Sequence, residues 1–143
     1  MYNKLLSQWE GKKDMKPLLT LEFEGLPPTV NMMYRSSGTT RYKRQAVKDW
    51  QEDIVGLLCE QWTEKKIPYR NRAEVSIEFT VQDRRAWDID NRIKSLLDCF
   101  EMAGVLKNDS QIDSLHVKRH SGEKNKTKIT LMEYKRGGVN DQL

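Results

Sequence analysis

The segment Asp83-Arg84-Arg85-Ala86-Trp87-Asp88-Ile89-Asp90-Asn91-Arg92-Ile93-Lys94 mixes carboxylates with cations, and Asp98 and Asp109 follow it. Hard divalent cations such as Mg²⁺ take oxygen ligands and keep several waters, with one or two carboxylates and a substrate phosphate completing the shell. Asp88 and Asp90 flank an expected helix start, so both can reach one solvent-facing point. Asp109 lies past that helix, in a loop before a strand. It joins them only if the sheet brings strand and helix start together. Lys94 is one turn beyond Asp90, on the border of the apolar stripe, where an ammonium can contact a phosphate or stabilise a leaving oxygen. The ordinary account is strong. Aspartates near a helix N-terminus cap free N–H groups and complement the dipole, and Asp90 with Lys94 makes a common i,i+4 pair. On these residues alone, capping and solvation explain more. A third carboxylate and a basic surface shift the balance.

That surface is present. Arg35, Arg41, Lys43, Arg44 and Lys48 lie between Asn31 and Lys48 without an acid, interleaved with Tyr34 and Tyr42. Arg84 and Arg85 precede the aspartates directly. Lys118, Arg119, Lys124, Lys126 and Lys128 cluster later, with Glu123 the one acid among them. Basic loops with aromatics suit phosphate contact and base stacking, whereas a single lysine-rich hairpin is more often a solvated surface. Arg35, Arg41, Lys43, Arg44, Arg84, Arg85, Lys118 and Arg119 are the candidate DNA contacts.

The elements that must position these groups follow from periodicity. Leu18 to Glu24 reads as a strand stopped by Leu26-Pro27-Pro28, since proline donates nothing to a ladder. Asn31 to Arg44 reads as a loop. Val47, Trp50, Ile54, Leu57, Leu58 and Trp62 recur at helical spacing. Ala73 to Val81 alternates apolar and polar residues and is the clearest strand. Asp88 to Ala103 reads as a second helix with Gly104 as its stop. Ile112 to Arg119 and Lys126 to Tyr134 read as strands joined through Gly122 in a hairpin-like connection. The order β-α-β-α-β-β predicts an α/β (α+β) fold: a single compact domain, with helices packed on a mixed sheet. Its expected limits are 17–136, after an extension at 1–16 and before a tail at 137–143.

Size and composition agree. The chain has 143 residues, 32% charged and 37% hydrophobic, with a net charge of +4, which suits one core and permits a nucleic-acid partner. No stretch approaches a membrane span or a secretory signal. Cys59 and Cys99 lie far apart and read as reduced thiols of a cytoplasmic protein. His116 and His120 read as surface or packing residues. Trp50 and Trp62 fit core or dimer burial. Trp87, between Arg85 and Asp88, either anchors the helix start or stacks on a base.

Two stretches resemble the RusA family of Holliday-junction resolvases. Leu26-Pro27-Pro28-Thr29-Val30-Asn31, followed by Tyr34, resembles the turn that ends the family's first strand. Asp88-Ile89-Asp90-Asn91, with Lys94, Asp98, Gly104 and Asp109, matches the pattern D-x-D-N-x-x-K-x-x-x-D, then a glycine, then another aspartate. The similarity covers roughly Leu18 to Tyr134. It implies a metal site at Asp88, Asp90 and Asp109, with Lys94 as the essential lysine. Asn91 and Asp98 match the pattern as supporting residues with roles left open. It further implies Mg²⁺ or Mn²⁺, no small-molecule cofactor, a homodimer acting on branched DNA, paired symmetric nicks in recombination and repair, and a phage or prophage setting. The basic run before Asp88 is shorter than in some members, and Met1 to Lys16 has no clear counterpart.

Three rival readings stand beside this one. One is a DNA-binding module without catalysis, which would gain nothing from acids facing phosphate. Another is a nuclease for flaps, forks or RNA. A carboxylate-pair sugar hydrolase leaves the basic loops without a purpose.

Overall fold

The computed structural model describes residues 16–62, 67–83 and 89–135. Arg84, Arg85, Trp87 and Asp88 lie outside these, as do most of the N-terminal extension and the C-terminal tail.

Strand β1 (Leu19–Glu24) leads to a single helical turn, α1 (Val30–Met33). A hairpin of β2 (Tyr34–Ser37) and β3 (Thr40–Lys43) follows, then helix α2 (Gln45–Trp62) and β4 (Ala73–Val81). A 3₁₀ turn at Ile89–Arg92 runs into α3 (Ile93–Met102), and a second at Asp109–Gln111 into β5 (Ile112–Ser121) and β6 (Lys126–Glu133). The strands form one mixed sheet in the order β1-β6-β4-β5, apart from the separate β2-β3 pair. No helix among the described residues is long and apolar enough to cross a membrane.

Alternation along β4 decides the architecture. Ala73, Val75, Ile77, Phe79 and Val81 turn inward and are buried. They meet Ile54, Leu58 and Trp62 of α2, and Leu96, Cys99 and Phe100 of α3, in one core. Each buried Val, Ile, Leu or Phe side chain contributes roughly 1.5–3 kcal/mol. The opposite face carries Glu74, Glu78, His116, Lys118, Lys126 and Lys128, as a strand period of two requires. β4 pairs parallel with β5 and antiparallel with β6. A parallel pair needs a long crossover, and α3 supplies it.

Three sequence expectations are corrected. The stretch 31–44 is not a loop: it holds α1 and the β2-β3 hairpin, closed by Ser37↔Thr40 and turned at Gly38 (φ +61°). Its strands lack apolar alternation because the hairpin stands apart from the core sheet, although Gly38 carries the local signal for a two-residue turn. The second helix begins later than Asp88, because Ile89–Arg92 is wound as 3₁₀; Gly104 (φ +73°) ends it as expected. β5 and β6 do not form a hairpin. β4 lies between them, since this most apolar strand needs partners on both sides. Their connection crosses the end of β4 at Gly122, whose N–H donates to Val81 O at 3.1 Å. A Cβ there would lie 2.4 Å from Thr80 Cγ2.

Candidate active site

The start of α3 is held from two sides. The Pro27 and Pro28 carbonyls face it. Arg92 Nη1 donates to Pro27 O at 2.7 Å, and Ser95 Oγ donates to Pro28 O at 2.7 Å. The proline turn therefore presents acceptors that no strand among the described residues uses. From α2, the fully buried Gln51 donates through Nε2 to Ser95 O at 3.1 Å. Arg92 is partly buried, which lowers its pKa from the usual arginine range. These contacts fix the backbone from which Asp90, Asn91 and Lys94 project. Asp90 is exposed and Asn91 half-buried.

Asp109 is brought to the same helix by a separate set of bonds. Asn108 caps the 3₁₀ turn, its side chain accepting from Ser110 N–H at 2.8 Å in a capping box with Gln111. Buried Gln111 accepts from the Lys107 and Asn108 N–H groups through Oε1, both at 2.9 Å. Its Nε2 donates to Tyr69 O at 2.7 Å and Asn71 O at 3.0 Å. Arg72, just before β4, pairs with Asp113 and donates to Ser110 O at 2.7 Å. Its hydrogen bonding to Asp113 raises the Arg72 pKa further. From α3, Glu101 Oε1 accepts from the Asp109 N–H at 2.6 Å. The loop is thus tied both to the entry of β4 and to α3.

Lys94 stands between the two assemblies. Its ammonium is 2.9 Å from Asp98 Oδ1 and 3.9 Å from Asp109 Oδ2. The i,i+4 partner of Lys94 is therefore Asp98 rather than Asp90. The hydrogen bond to Asp98, then the charges of Asp98, Asp109 and Glu101, raise the Lys94 pKa. On the other flank of α3, burial pushes the Cys99 thiol up to about 12, with the Asp98 charge adding to the effect. Cys99 is inert packing, and exposed Cys59 is likewise a free thiol.

The basic residues divide by face. Arg41 lies with its guanidinium carbon 4.1 Å from the Tyr34 ring centroid, and Lys43 lies two residues on, on the same face of the hairpin. Lys43 Nζ donates to Gln51 Oε1 at 2.7 Å. Arg35 lies on β2 and exposed Arg44 at the hairpin exit, where its N–H donates to Met33 O at 3.0 Å. Lys118 falls on the sheet face away from the helices, opposite Glu78, while Arg119 lies opposite Phe79 on the helix-bearing side. His116 and His120 stand on the polar face, 3.5 Å from Glu74 and 3.8 Å from Glu78, so they do not join the aspartates. Trp50 packs edge-on against Phe23, with centroids 5.9 Å apart, and Trp62 is buried in the core.

The sequence comparison decides the family. The endodeoxyribonuclease RusA family model matches residues 24–132. This chain belongs to the RusA endodeoxyribonuclease family. Among similar curated proteins, the crossover junction endodeoxyribonuclease RusA of Aquifex aeolicus (strain VF5) is 37% identical over 91 residues, spanning 62% of this chain and 69% of the relative. The crossover junction endodeoxyribonuclease of Enterobacteria phage HK97 is 28% identical over 93 residues, spanning 65% of this chain and 76% of the relative. The RusA match runs from the end of β1 to β6, and so includes the proline turn, the hairpin, α3 and the Asp109 loop.

Reasoning from sequence singled out Asp90, Lys94, Asp98 and Asp109. The structure draws the last three together around Lys94. It places Asp90 on the adjoining turn, while Asp88 lies outside the described residues. Among those residues no group of three or more His, Cys, Asp or Glu forms a metal cluster. Sequence reasoning missed Gln51, Arg72, Ser95, Glu101 and Gln111, which hold the site without carrying its chemistry. Only the Asn108-x-x-Gln111 box left a readable local signal.

Proposed function

We propose that this protein is a divalent-metal-dependent endonuclease that resolves four-way DNA junctions by paired symmetric nicks, acting as a homodimer. The observation that carries this reading is the approach of Lys94 to Asp109 beside the exposed Asp90, within a RusA-family chain. The junction as substrate is taken from the names of both relatives. Two equivalent sites in a two-fold dimer suit a junction of matching symmetry.

The donors available at the site are carboxylate oxygens, which fit Mg²⁺ or Mn²⁺ rather than a soft metal. Asp90 and Asp109 would hold the ion, with Asp88 as the third ligand implied by the family pattern. When bound, such an ion supplies an activated water and neutralises charge on the phosphodiester.

The chain's own groups do the rest. Lys94 presents a fixed cation to the non-bridging oxygens or the departing 3′ oxygen as negative charge builds there. Asp98 holds that ammonium in place at 2.9 Å, and Glu101 fixes the Asp109 backbone. The hairpin cations Arg35, Arg41, Lys43 and Arg44, with Arg84, Arg85 and Arg119, contact backbone phosphates. Stacking on Tyr34 pre-orients Arg41 for that contact. Lys118, on the far face, contributes only if the DNA or the second protomer wraps round the sheet edge.

The test is cleavage of an end-labelled synthetic four-way junction in Mg²⁺, beside linear duplex, flap and fork substrates. Paired nicks confined to the junction are expected. Equal cutting of flaps and forks would replace this reading with a general branched-DNA nuclease. Binding without cutting would replace it with a DNA-binding module.

A further inference from the structure

Gln51 is an anomaly on its helix. It shares the inward stripe of α2 with Val47, Ile54, Leu58 and Trp62, yet it is polar and fully buried. Burying an amide costs free energy unless both ends are hydrogen-bonded, and an apolar residue would fill the stripe without that cost. Both ends are in fact bonded, and to different elements. Oε1 accepts from Lys43 Nζ at 2.7 Å, at the end of the basic hairpin. Nε2 donates to Ser95 O at 3.1 Å, in the first turn of α3.

We infer that Gln51 is a positioning residue: by bridging Lys43 and the Ser95 carbonyl it fixes the basic hairpin against the helix start that carries Asp90 and Lys94. It thereby sets which phosphate of a bound DNA strand falls at the site. The second half of this inference rests on the nuclease reading above. Among the described residues the two hairpin strands pair only with each other, and at its start the hairpin is held by the α1 turn, which packs on α3. The Arg44 N–H bond to Met33 O closes its base. The Gln51 bridge instead reaches α3. One of the three donors of the Lys43 ammonium goes to Gln51, which leaves capacity for a phosphate oxygen. Arg41, two residues earlier on the same face, is aligned by Tyr34. The face carrying Tyr34, Arg41 and Lys43 is thus linked to α3 through the Gln51 side chain, at the far side of the hairpin from the α1 turn that packs on α3.

A packing role alone and a positioning role differ in what they predict. Gln51→Met keeps the volume and removes both bonds. Gln51→Glu keeps the acceptor for Lys43 and removes the donor to Ser95 O. Nitroxide labels are placed at Thr39→Cys, on the hairpin tip, and Met102→Cys, at the end of α3, in a Cys59→Ser background. Their pulsed-resonance distance distribution is expected to be narrow with Gln51 and broad in both variants, while the circular dichroism spectrum is unchanged. On the four-way junction in Mg²⁺, both variants are expected to bind within about 3-fold of the parent. Their single-turnover rate should fall by about 10-fold or more, with cuts spread over neighbouring phosphates, because small misplacements of reacting groups cost large factors. Unchanged label distances, or a parental rate and cut position per folded molecule in either variant, would overturn the inference. A parent protein that cuts no junction overturns the nuclease reading instead, and the label distances then still decide whether Gln51 fixes the hairpin.

Discussion

The Lys94 ammonium lies 3.9 Å from the Asp109 carboxylate, although one residue opens α3 and the other precedes β5. This approach is a product of the crossover. Because β4 and β5 are parallel neighbours, α3 must run back along the sheet, and the Asp109 loop is tied to it through Glu101.

The pairing has a consequence for pH. The Lys94 pKa is raised, chiefly by its hydrogen bond to Asp98. A group whose folded pKa is raised contributes stability that is complete below its unfolded value, about 10.4 for lysine, and lost as pH rises through the higher folded value. Lys94 therefore stays cationic through the neutral and mildly alkaline range. The rate–pH profile of cleavage should show no Lys94 step below about pH 10. Lys94→Met should lower the single-turnover rate by about 10²–10³-fold with little change in junction affinity. A Lys94→Met variant cutting at the parental rate would remove this residue from the chemistry.

Gln111 makes four side-chain hydrogen bonds to backbone groups of 69, 71, 107 and 108. Gln111→Ala removes all four bonds in a part-buried setting and should cost about 1–3 kcal/mol, since water reaches some of the freed groups. Urea unfolding measures this. Ligand-free stability is predicted to fall, and junction cleavage with it as the Asp109 loop loosens.

Gly122 passes too close to Thr80 for any side chain. Gly122→Ala is expected to destabilise by about 1–3 kcal/mol through overpacking, because β-branched Thr80 has few rotamers with which to yield. Thr80→Ala in the same chain should recover most of that loss. A neutral Gly122→Ala in thermal melts would mean that the crossing leaves room for a methyl group beside Thr80.

Much of this was legible in the sequence. β4 appeared with its bounds because a strand buried on one face and polar on the other writes a period of two. α2 and the Gly104 stop were readable for similar reasons, and D-x-D-N with its lysine carried the family resemblance that the match over residues 24–132 bears out. The β2-β3 hairpin was not, since strands that do not enter the core carry no apolar alternation. The position of β4 between β5 and β6 was also hidden. A short loop between two strands reads as a hairpin, and only the competition for the most apolar strand's two edges reverses that. The holding residues Gln51, Ser95, Glu101 and Gln111 act through bonds to distant backbone, which no local pattern records.

Metal-dependent cleavage at the proposed Asp90–Lys94–Asp109 site can be read on one labelled four-way junction. It would be incubated with the parent protein, Asp90→Asn and Asp109→Asn, each in Mg²⁺ and in chelator. Expected are paired nicks by the parent in Mg²⁺ alone, a loss of about 10²-fold or more in both variants, and retained junction binding throughout. Cleavage that persists in chelator, or at the parental rate in either variant, would contradict it.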